Sequence, residues 1–248
     1  MTTVRHVQLK IIFMILGVLS LSLPALAKKA PEPLPFAKGE TITYTIKKMG
    51  FKAGETILVF EGAVEVEKQA VYLIHSKADG ANFFDEEKIY LDQKTFLPVR
   101  VERDVNVFGK KEKIVEHYDQ KKYEVKIVKT AKGKTKEQVI KKDRPMENLY
   151  GFIYRYRKEG KFTIGDALQM NLPTADVKLK LVKKDKIKVG GVGRRPTEQE
   201  AYYMESNPAK YKVWFDGTDR KVPLRIDGAV GFGSTSMTMK DYSQGKSQ

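Results

Sequence analysis

Residues 41–46 read Thr-Ile-Thr-Tyr-Thr-Ile. Polar and apolar side chains alternate along this run, which is the pattern of a β-strand with one solvent-facing side and one buried side. The alternation recurs in short runs through most of the chain that follows, and the gaps between runs are too short for the crossover helices of a parallel sheet. The sequence therefore predicts a mainly β protein, built as an antiparallel meander of many short strands.

Turn residues and proline refine this prediction. Asp79-Gly80 follows an apolar run and predicts a hairpin turn. We expect further strands at residues 162–164 and at two lysine-rich runs, 177–182 and 187–189. Pro223 is expected at a sheet edge or at the start of a strand, because proline cannot donate a hydrogen bond to the ladder.

One segment breaks the period of two. Between residues 143 and 158 the apolar positions recur every three or four residues, which predicts an amphipathic α-helix. Asp143 is the expected N-cap, and Gly160 is expected to end the helix. We expect a curved antiparallel sheet or half-barrel to wrap around this one central helix, with the apolar stripe of the helix on the concave face.

The N-terminus has the composition of a secretory signal peptide. Arg5 and Lys10 precede an apolar stretch, and the small residues Ala25 and Ala27 stand where a signal peptidase reads the chain. The stretch is shorter than the roughly 20 apolar residues of a membrane-spanning helix. We predict a cleaved signal peptide at residues 1–27, an extended leader at 28–35 and a single β-rich domain at 36–248.

Export would change the meaning of the charge. The chain has 248 residues, no cysteine and a formal net charge of +15, which falls to +13 when Arg5 and Lys10 are removed. A cytosolic protein with this charge would suggest nucleic acid as a partner, whereas an exported one meets anionic lipids and cell-wall polymers. We predict a periplasmic protein, or a secreted or surface-associated one, whose partner is a lipid, a glycolipid or an anionic envelope polymer. Neither a nucleic-acid partner nor a transmembrane segment in the mature chain is expected.

No catalytic or metal-binding pattern stands out. The sequence has no cysteine and no Gly-x-Ser-x-Gly motif, so it lacks the nucleophile arrangement of a hydrolase. Metal sites need three or four ligands at workable spacing, and His117 with Asp119 supplies two. We therefore predict no enzyme activity, no cofactor, no catalytic residues and no metal site. An envelope enzyme acting on glycan is the least favoured alternative, since no segment singles out a pair of carboxylates. It is kept because the spatial pairing of carboxylates is not visible in a sequence.

Five short motifs appear in an order that resembles a known family: the opening strand, residues 53–56, residues 95–100, the helix, and the segment after Trp214. The residues that carry the resemblance are Gly39, Glu40, Tyr44, Asp143, Arg155, Asp219, Arg220 and Pro223. The chain resembles the exported bacterial proteins grouped as domain of unknown function 3108 (DUF3108). This resemblance implies a periplasmic β-rich domain, distantly similar to the half-barrels that carry lipoproteins or lipids across the periplasm, and it implies no catalytic residues.

Aromatic residues give the leading functional hypothesis. Tyr150, Tyr154 and Tyr156 lie on the expected helix and Trp214 on a late strand, where they either line a ligand cavity or fill the core. If they line a cavity, the protein binds a lipid or other amphiphile on the concave face of the sheet. The alternative is a structural or scaffolding protein with a filled core, whose lysines contact anionic envelope surfaces or protect edge strands.

Overall fold

The computed structural model describes residues 33–190, 195–207, 209–228 and 235–245. The predicted signal peptide at 1–27, and the predicted leader up to residue 32, lie outside these residues. Leu34–Gln248 form one compact unit. Within that unit, the described residues form a mainly β structure with one short helix.

Fourteen strands and one helix make up the described part of the unit. The strands are β1 (Glu40–Lys48), β2 (Phe51–Val66), β3 (Gln69–Gly80), β4 (Phe83–Asp92), β5 (Pro98–Val107), β6 (Lys110–Asp119), β7 (Glu124–Ala131), β8 (Lys134–Lys141), β9 (Ala167–Leu172), β10 (Ala175–Val189), β11 (Thr197–Asn207), β12 (Lys212–Asp216), β13 (Pro223–Asp227) and β14 (Thr235–Ser243). The helix α1 (Leu149–Glu159) lies between β8 and β9. Many strands are longer than expected, with 16 residues in β2 and 15 in β10.

All fourteen strands belong to one antiparallel sheet. Strands that are consecutive in sequence pair with each other, except β8 and β9, which are separated by α1 and lie at the two edges of the sheet. In addition, β1 pairs with β14. The sheet therefore has two arms, β1 to β8 and β14 to β9, which meet where β1 pairs with β14. The prediction of a mainly β antiparallel meander is confirmed.

The first strand shows why the alternation in the sequence predicts this sheet. Ile42, Tyr44 and Ile46 have no exposed surface, whereas the threonines between them lie on the opposite, half-buried face. Burial of one large apolar side chain contributes about 1.5–3 kcal/mol. A slip of the pairing by one residue would expose all three, so the pattern fixes the register of β1.

Helix α1 packs against both arms of the sheet. Tyr154 stacks on Phe60 of β2 with ring centroids 5.7 Å apart, and Tyr156 lies 5.4 Å from Phe215 of β12. Helix α1 also contacts β4 and β9, which are nine positions apart in the strand order and would lie about 43 Å apart in a flat sheet. The helix has 11 residues and is only about 16 Å long. The sheet must therefore curve for both arms to reach the helix.

The helix begins later than predicted. It spans Leu149–Glu159, and Asn148 rather than Asp143 is the N-cap. The Asn148 side-chain oxygen accepts hydrogen bonds from two backbone N–H groups of the first turn, at 2.9 and 3.4 Å. The segment before it is not helical, because the side-chain amide of Gln120 binds both the N–H and the carbonyl of Met146, at 3.0 and 2.9 Å. A side chain distant in sequence thus competes with the helix for this backbone.

Two other predictions about element boundaries are wrong. Asp79 and Gly80 are the last residues of β3, and the turn follows them. Glycine is needed there for close packing, because a Cβ at Gly80 would lie 2.3 Å from the ring of Phe83. Residues 162–164 form no strand: Phe162 has a φ of 46°, and its ring packs 5.3 Å from that of Tyr156. Aromatic packing against the helix holds this segment out of the sheet.

Three further features of element boundaries follow from local chemistry. Gly160 caps the C-terminus of α1, as predicted. Pro223 is the first residue of β13, as predicted, in keeping with the missing N–H of proline. The two lysine-rich runs form one strand, β10, because a register shift between Leu181 and Lys183 interrupts the alternation without ending the strand.

Candidate functional site

A cavity of about 940 Å³ lies between the two arms of the sheet and the start of α1. One wall is the inner face of β4 to β7, and the other is formed by the ends of β1 and of β12 to β14. Asn148, Leu149 and Tyr150 of the helix N-terminus contribute to the wall between them. The sheet therefore does not close completely on the helix, and the space left over is large enough for a ligand.

The inner face of β4 and β5 changes character at this cavity. Deeper in the sheet, Ile89 pairs with Val101, and both are buried in the apolar core. Two residues further along the ladder, Glu87 pairs with Arg103. Side chains two positions apart on a strand point to the same face. Charged groups therefore occupy inward positions that a filled core would give to apolar residues.

Arg103 is held by a carboxylate on the same face. Its Nε donates to Oδ1 of Asp85 at 2.7 Å, and its Nη2 donates to Oδ2 at 2.5 Å. Such a bidentate pair fixes the plane of the guanidinium and is stronger than a neutral hydrogen bond. Asp85 and Arg103 thus form a neutral pair, while two other carboxyl groups, Glu87 and Glu116, line the cavity.

Glu87 is partly buried in the cavity wall, and this burial raises its pKa to about 7. The neighbouring carboxylates of Asp85 and Glu116 add to the rise. The positive charge of Arg103 opposes it, as does a hydrogen bond that Nδ2 of Asn148 donates to Oε1 of Glu87 at 2.7 Å. Glu87 therefore binds a proton at a higher pH than an ordinary glutamate, and its carboxyl group donates a hydrogen bond when protonated and accepts one when ionised.

Two tyrosines provide hydroxyl groups in the same wall. The Tyr118 hydroxyl donates to Oε2 of Glu116 at 2.5 Å, and burial raises the pKa of both groups. Burial also raises the pKa of Tyr150, whose hydroxyl accepts from Oγ of Ser76 at 3.4 Å. Both tyrosines therefore stay neutral at any physiological pH. The wall presents carboxyl and hydroxyl groups to whatever occupies the cavity.

The opposite side of the cavity carries basic residues. Lys47, Lys210 and Lys212 belong to its lining, together with Arg225. Arg225 is paired with Asp227 through hydrogen bonds of 2.8 and 3.0 Å. The cavity is therefore asymmetric, with carboxyl and hydroxyl groups on the inner wall and amino groups near the ends of the strands.

A second polar cluster lies at the other end of α1 and is closed to solvent. Arg157 and Glu40 have no exposed side-chain surface, and they form two hydrogen bonds of 2.6 and 2.7 Å. The guanidinium of Arg157 also lies over the rings of Phe36 and Tyr154, at 4.8 and 4.9 Å from their centroids. Tyr242 donates a further hydrogen bond to Glu40 at 3.0 Å. This cluster ties the helix to β1 and β14.

Most of the family-like residues gather around this ion pair. Gly39 has a φ of 80°, which favours glycine, and it leads directly into Glu40. Tyr44 donates to the carbonyl of Pro223 at 2.8 Å, and Nε of Arg157 donates to the carbonyl of Arg220 at 3.1 Å. These residues connect β1, α1 and the turn between β12 and β13. Their positions indicate a role in stability rather than in binding.

The other family-like residues lie elsewhere. Asp143 and Asp219 are exposed, so they belong neither to the ion-pair cluster nor to the cavity. Arg155 forms an ion pair with the buried carboxylate of Glu147, at the edge of the cavity. Glu147 in turn accepts a hydrogen bond of 3.0 Å from the backbone of Asn171. Arg155 therefore helps to anchor the segment before α1 to β9.

The four aromatic candidates separate into three places. Tyr150 lines the cavity, whereas Tyr154 and Tyr156 are buried in the main core. Trp214 stacks on Tyr203, with centroids 4.7 Å apart, in a separate apolar cluster. One of the four therefore lies where a ligand could touch it.

Sequence reasoning missed the charged residues of the cavity and the buried arginine. Glu87, Arg103 and Glu116 interrupt the apolar alternation at inward positions, and this interruption is the signal that could have identified them. Arg157 follows Ile153 by four residues, which places it on the buried stripe of the helix. In both cases the signal in the sequence is a charged residue at a position where the period requires an apolar one.

The described residues contain neither a candidate metal site nor a candidate membrane-spanning helix. That part of the chain contains no group of three or more histidine, cysteine, aspartate or glutamate side chains that could hold a metal ion. Nor does it contain a helix that is both long enough and apolar enough to cross a membrane.

Comparison with known proteins gives a family match and an alignment with a solved structure. The family described as "Protein of unknown function (DUF3108)" matches residues 41–240. No curated protein matches the chain. A β-barrel-like protein of domain of unknown function DUF1849 from Brucella abortus aligns over 85% of this chain and 99% of its own, with 7% identity and a TM-score of 0.45. Because the family match spans most of the chain, the protein belongs to the DUF3108 family.

Proposed function

We propose that this protein is an exported, non-enzymatic binding protein that holds a lipid or other amphiphile in the cavity beside the start of α1. The observation that carries the proposal is the set of polar groups on the inner wall of that cavity. Charged groups weaken a core unless something compensates for their burial. Their presence at inward positions is understandable if they bind a polar group of a ligand.

The rest of the wall suits an apolar portion of the same ligand. The aliphatic side chains Val101, Ile114, Ile127, Leu149 and Leu172 line the cavity together with the polar groups. Ligand sites typically have volumes of roughly 300–1,000 Å³ and combine apolar walls with a few placed polar groups. The cavity matches both properties. The ligand class it fits is an amphiphile with an aliphatic part and a hydroxyl or amino group that binds Glu87 and Glu116.

The cavity supports this proposal over the scaffolding alternative. A scaffold needs no internal space, and its lysines would serve on the outer faces of the strands. The lysines of β8 do occupy an edge strand, where they protect the sheet from pairing with other chains.

The two carboxyl groups keep a glycan-acting enzyme as a second candidate. Glu87 and Glu116 line one cavity, and both have a raised pKa, which is the property of a general acid. The enzyme would turn over a glycan and lose that turnover in E87Q or E116Q. The binding protein would release its ligand chemically unchanged.

Native mass spectrometry of the protein purified from its own cell envelope tests the binding proposal. We expect a population whose mass exceeds that of the polypeptide by one ligand. The variant I114W places a large side chain in the cavity and should lose this population. V115W is the matched control, because Val115 is adjacent on β6 and points to the opposite face. Only bare polypeptide in the wild type, with added envelope lipids failing to bind, would contradict the proposal.

Export has its own test, which does not depend on the cavity. We expect the intact mass of protein recovered from cells to correspond to a chain that begins at Lys28, because Ala25 and Ala27 fit the small-residue requirement of the peptidase. A27D should leave the precursor uncleaved, whereas A30D, just beyond the site, should be processed normally. A wild-type protein that keeps residues 1–27 would contradict the predicted cleavage.

A further inference from the structure

The three most exposed large apolar side chains of the described residues share one end of the sheet. Met49 is 85%, Phe51 80% and Phe108 70% exposed, compared with 56% for the next, Val139. Met49 and Phe51 belong to the hairpin between β1 and β2, and Phe108 to the hairpin between β5 and β6. In an antiparallel meander successive turns alternate between the two ends of the sheet. The turn after β1 and the turn after β5 therefore lie at the same end.

The fold gives no reason for large apolar residues at these turn positions. Met49-Gly50 and Phe108-Gly109 are two-residue turns in which both residues have positive φ, 51° and 86° in the first and 52° and 78° in the second. Hairpin turns of this geometry favour asparagine, aspartate or glycine at the first position. A bulky apolar residue is disfavoured there, and the exposed side chains gain no packing in return. These positions therefore indicate a contact with something outside the chain.

The two chain segments that carry these tips are basic in sequence. Residues 47–52 read Lys-Lys-Met-Gly-Phe-Lys and residues 107–111 read Val-Phe-Gly-Lys-Lys, with no acidic residue in either segment. The turn between β7 and β8 lies at the same end, and its segment, residues 130–136, reads Thr-Ala-Lys-Gly-Lys-Thr-Lys. Apolar side chains flanked by lysines are complementary to an anionic lipid surface, where the apolar groups enter the acyl boundary and the amines bind phosphates.

We propose that this end of the sheet docks on an anionic bilayer, with Met49, Phe51 and Phe108 inserted among the lipids and the neighbouring lysines on the headgroups. Met49 and Gly50 also line the cavity. Docking would therefore place part of the cavity rim at the membrane surface. The proposal concerns the outer surface of the protein and is tested without any cavity ligand.

Sedimentation with lipid vesicles tests the docking. The protein used is the chain from Lys28 onward, which contains the whole compact unit Leu34–Gln248. We expect binding to vesicles of phosphatidylcholine with 30% phosphatidylglycerol and little binding to phosphatidylcholine alone. Each lysine near an anionic surface contributes about a fivefold gain in partitioning, so binding should also weaken as salt screens the charges. A chain that stays in the supernatant with the anionic vesicles would overturn the proposal.

A triple variant separates insertion from charge. M49N/F51T/F108N removes the three apolar side chains and keeps the lysines, and we expect it to bind the anionic vesicles about tenfold more weakly or worse. Asparagine is the preferred residue at positions 49 and 108, so loss of folding is not expected. The control I57T/V139T removes exposed apolar groups from strand faces and should bind like the wild type. Equal binding by the triple variant, or an equal loss in the control, would overturn the proposal.

A fluorescent label locates the inserted end directly. The chain has no cysteine, so F108C and Y123C each provide a single labelling site. Tyr123 is exposed and precedes β7, in the turn at the opposite end of the sheet. An environment-sensitive dye should shift to the blue on anionic vesicles at position 108 and not at 123. A shift at 123 alone, at both sites or at neither would contradict the assigned orientation.

Discussion

Replacing Arg157 with methionine is expected to lower the free energy of unfolding by about 3–5 kcal/mol. The substitution leaves the carboxylate of Glu40 in the core with no exposed surface and without its two strongest hydrogen bonds, of 2.6 and 2.7 Å. Tyr154 and Tyr242 still donate to it, at 3.3 and 3.0 Å, but neither carries a compensating charge. Urea unfolding followed by circular dichroism measures the loss.

The double variant E40L/R157M checks that the loss comes from the unpaired charge. Removing both partners leaves no buried ion, so most of the stability should return. K158M is the matched control, since Lys158 is the next residue of α1 and lies partly exposed over the ring of Phe96. Its effect should be below about 1 kcal/mol. A loss in R157M no larger than that in K158M would contradict the structural role of the ion pair.

Replacing Glu87 with glutamine is expected to stabilise the protein at pH 8 by about 2 kcal/mol. Burial raises the pKa of Glu87 in the folded chain to about 7, against 4.5 for an unperturbed glutamate. Between these values the folded chain binds the proton more tightly, so wild-type stability falls as the pH rises and stays lower above pH 7. Residual contact with cavity water reduces the effect from that of a fully buried group.

Unfolding of E87Q and wild type at several pH values measures this difference. The two curves should converge below about pH 4, where Glu87 is protonated in both the folded and the unfolded chain. Glu55 provides a control of opposite sign, because its hydrogen bonds with Lys240 and Lys52 lower its pKa. E55Q should lose stability at neutral pH, and the loss should disappear in acid. A constant difference between E87Q and wild type at every pH would contradict the raised pKa of Glu87.

The fold was largely predictable from local patterns. The alternation at residues 41–46 predicted a strand with one buried face, and β1 has that face. The helix boundary was not predictable in the same way, since the side chain of Gln120 holds the backbone before Asn148 out of the helix. The single strand β10 looked like two because a bulge shifts the alternation. Contacts between distant parts of the chain and irregular pairing leave little trace in a local period.

The cavity was less predictable than the fold. The aromatic residues of the helix suggested a lining, but only Tyr150 lies there, because the others face the core. Glu87 and Glu116 come from different strands, and only the register across β5 brings them to one wall. A sequence gives the face of each residue through alternation, but the relative register of three strands needs the structure.

A crystal structure of the protein purified from its own envelope, without added lipid, would show directly whether the cavity holds a ligand. We predict continuous electron density in the cavity, with an elongated part against Ile114 and Ile127 and a polar end within hydrogen-bond distance of Glu87 or Glu116. Isolated water positions alone, or side chains rearranged to fill the space, would contradict a ligand-binding role for this cavity.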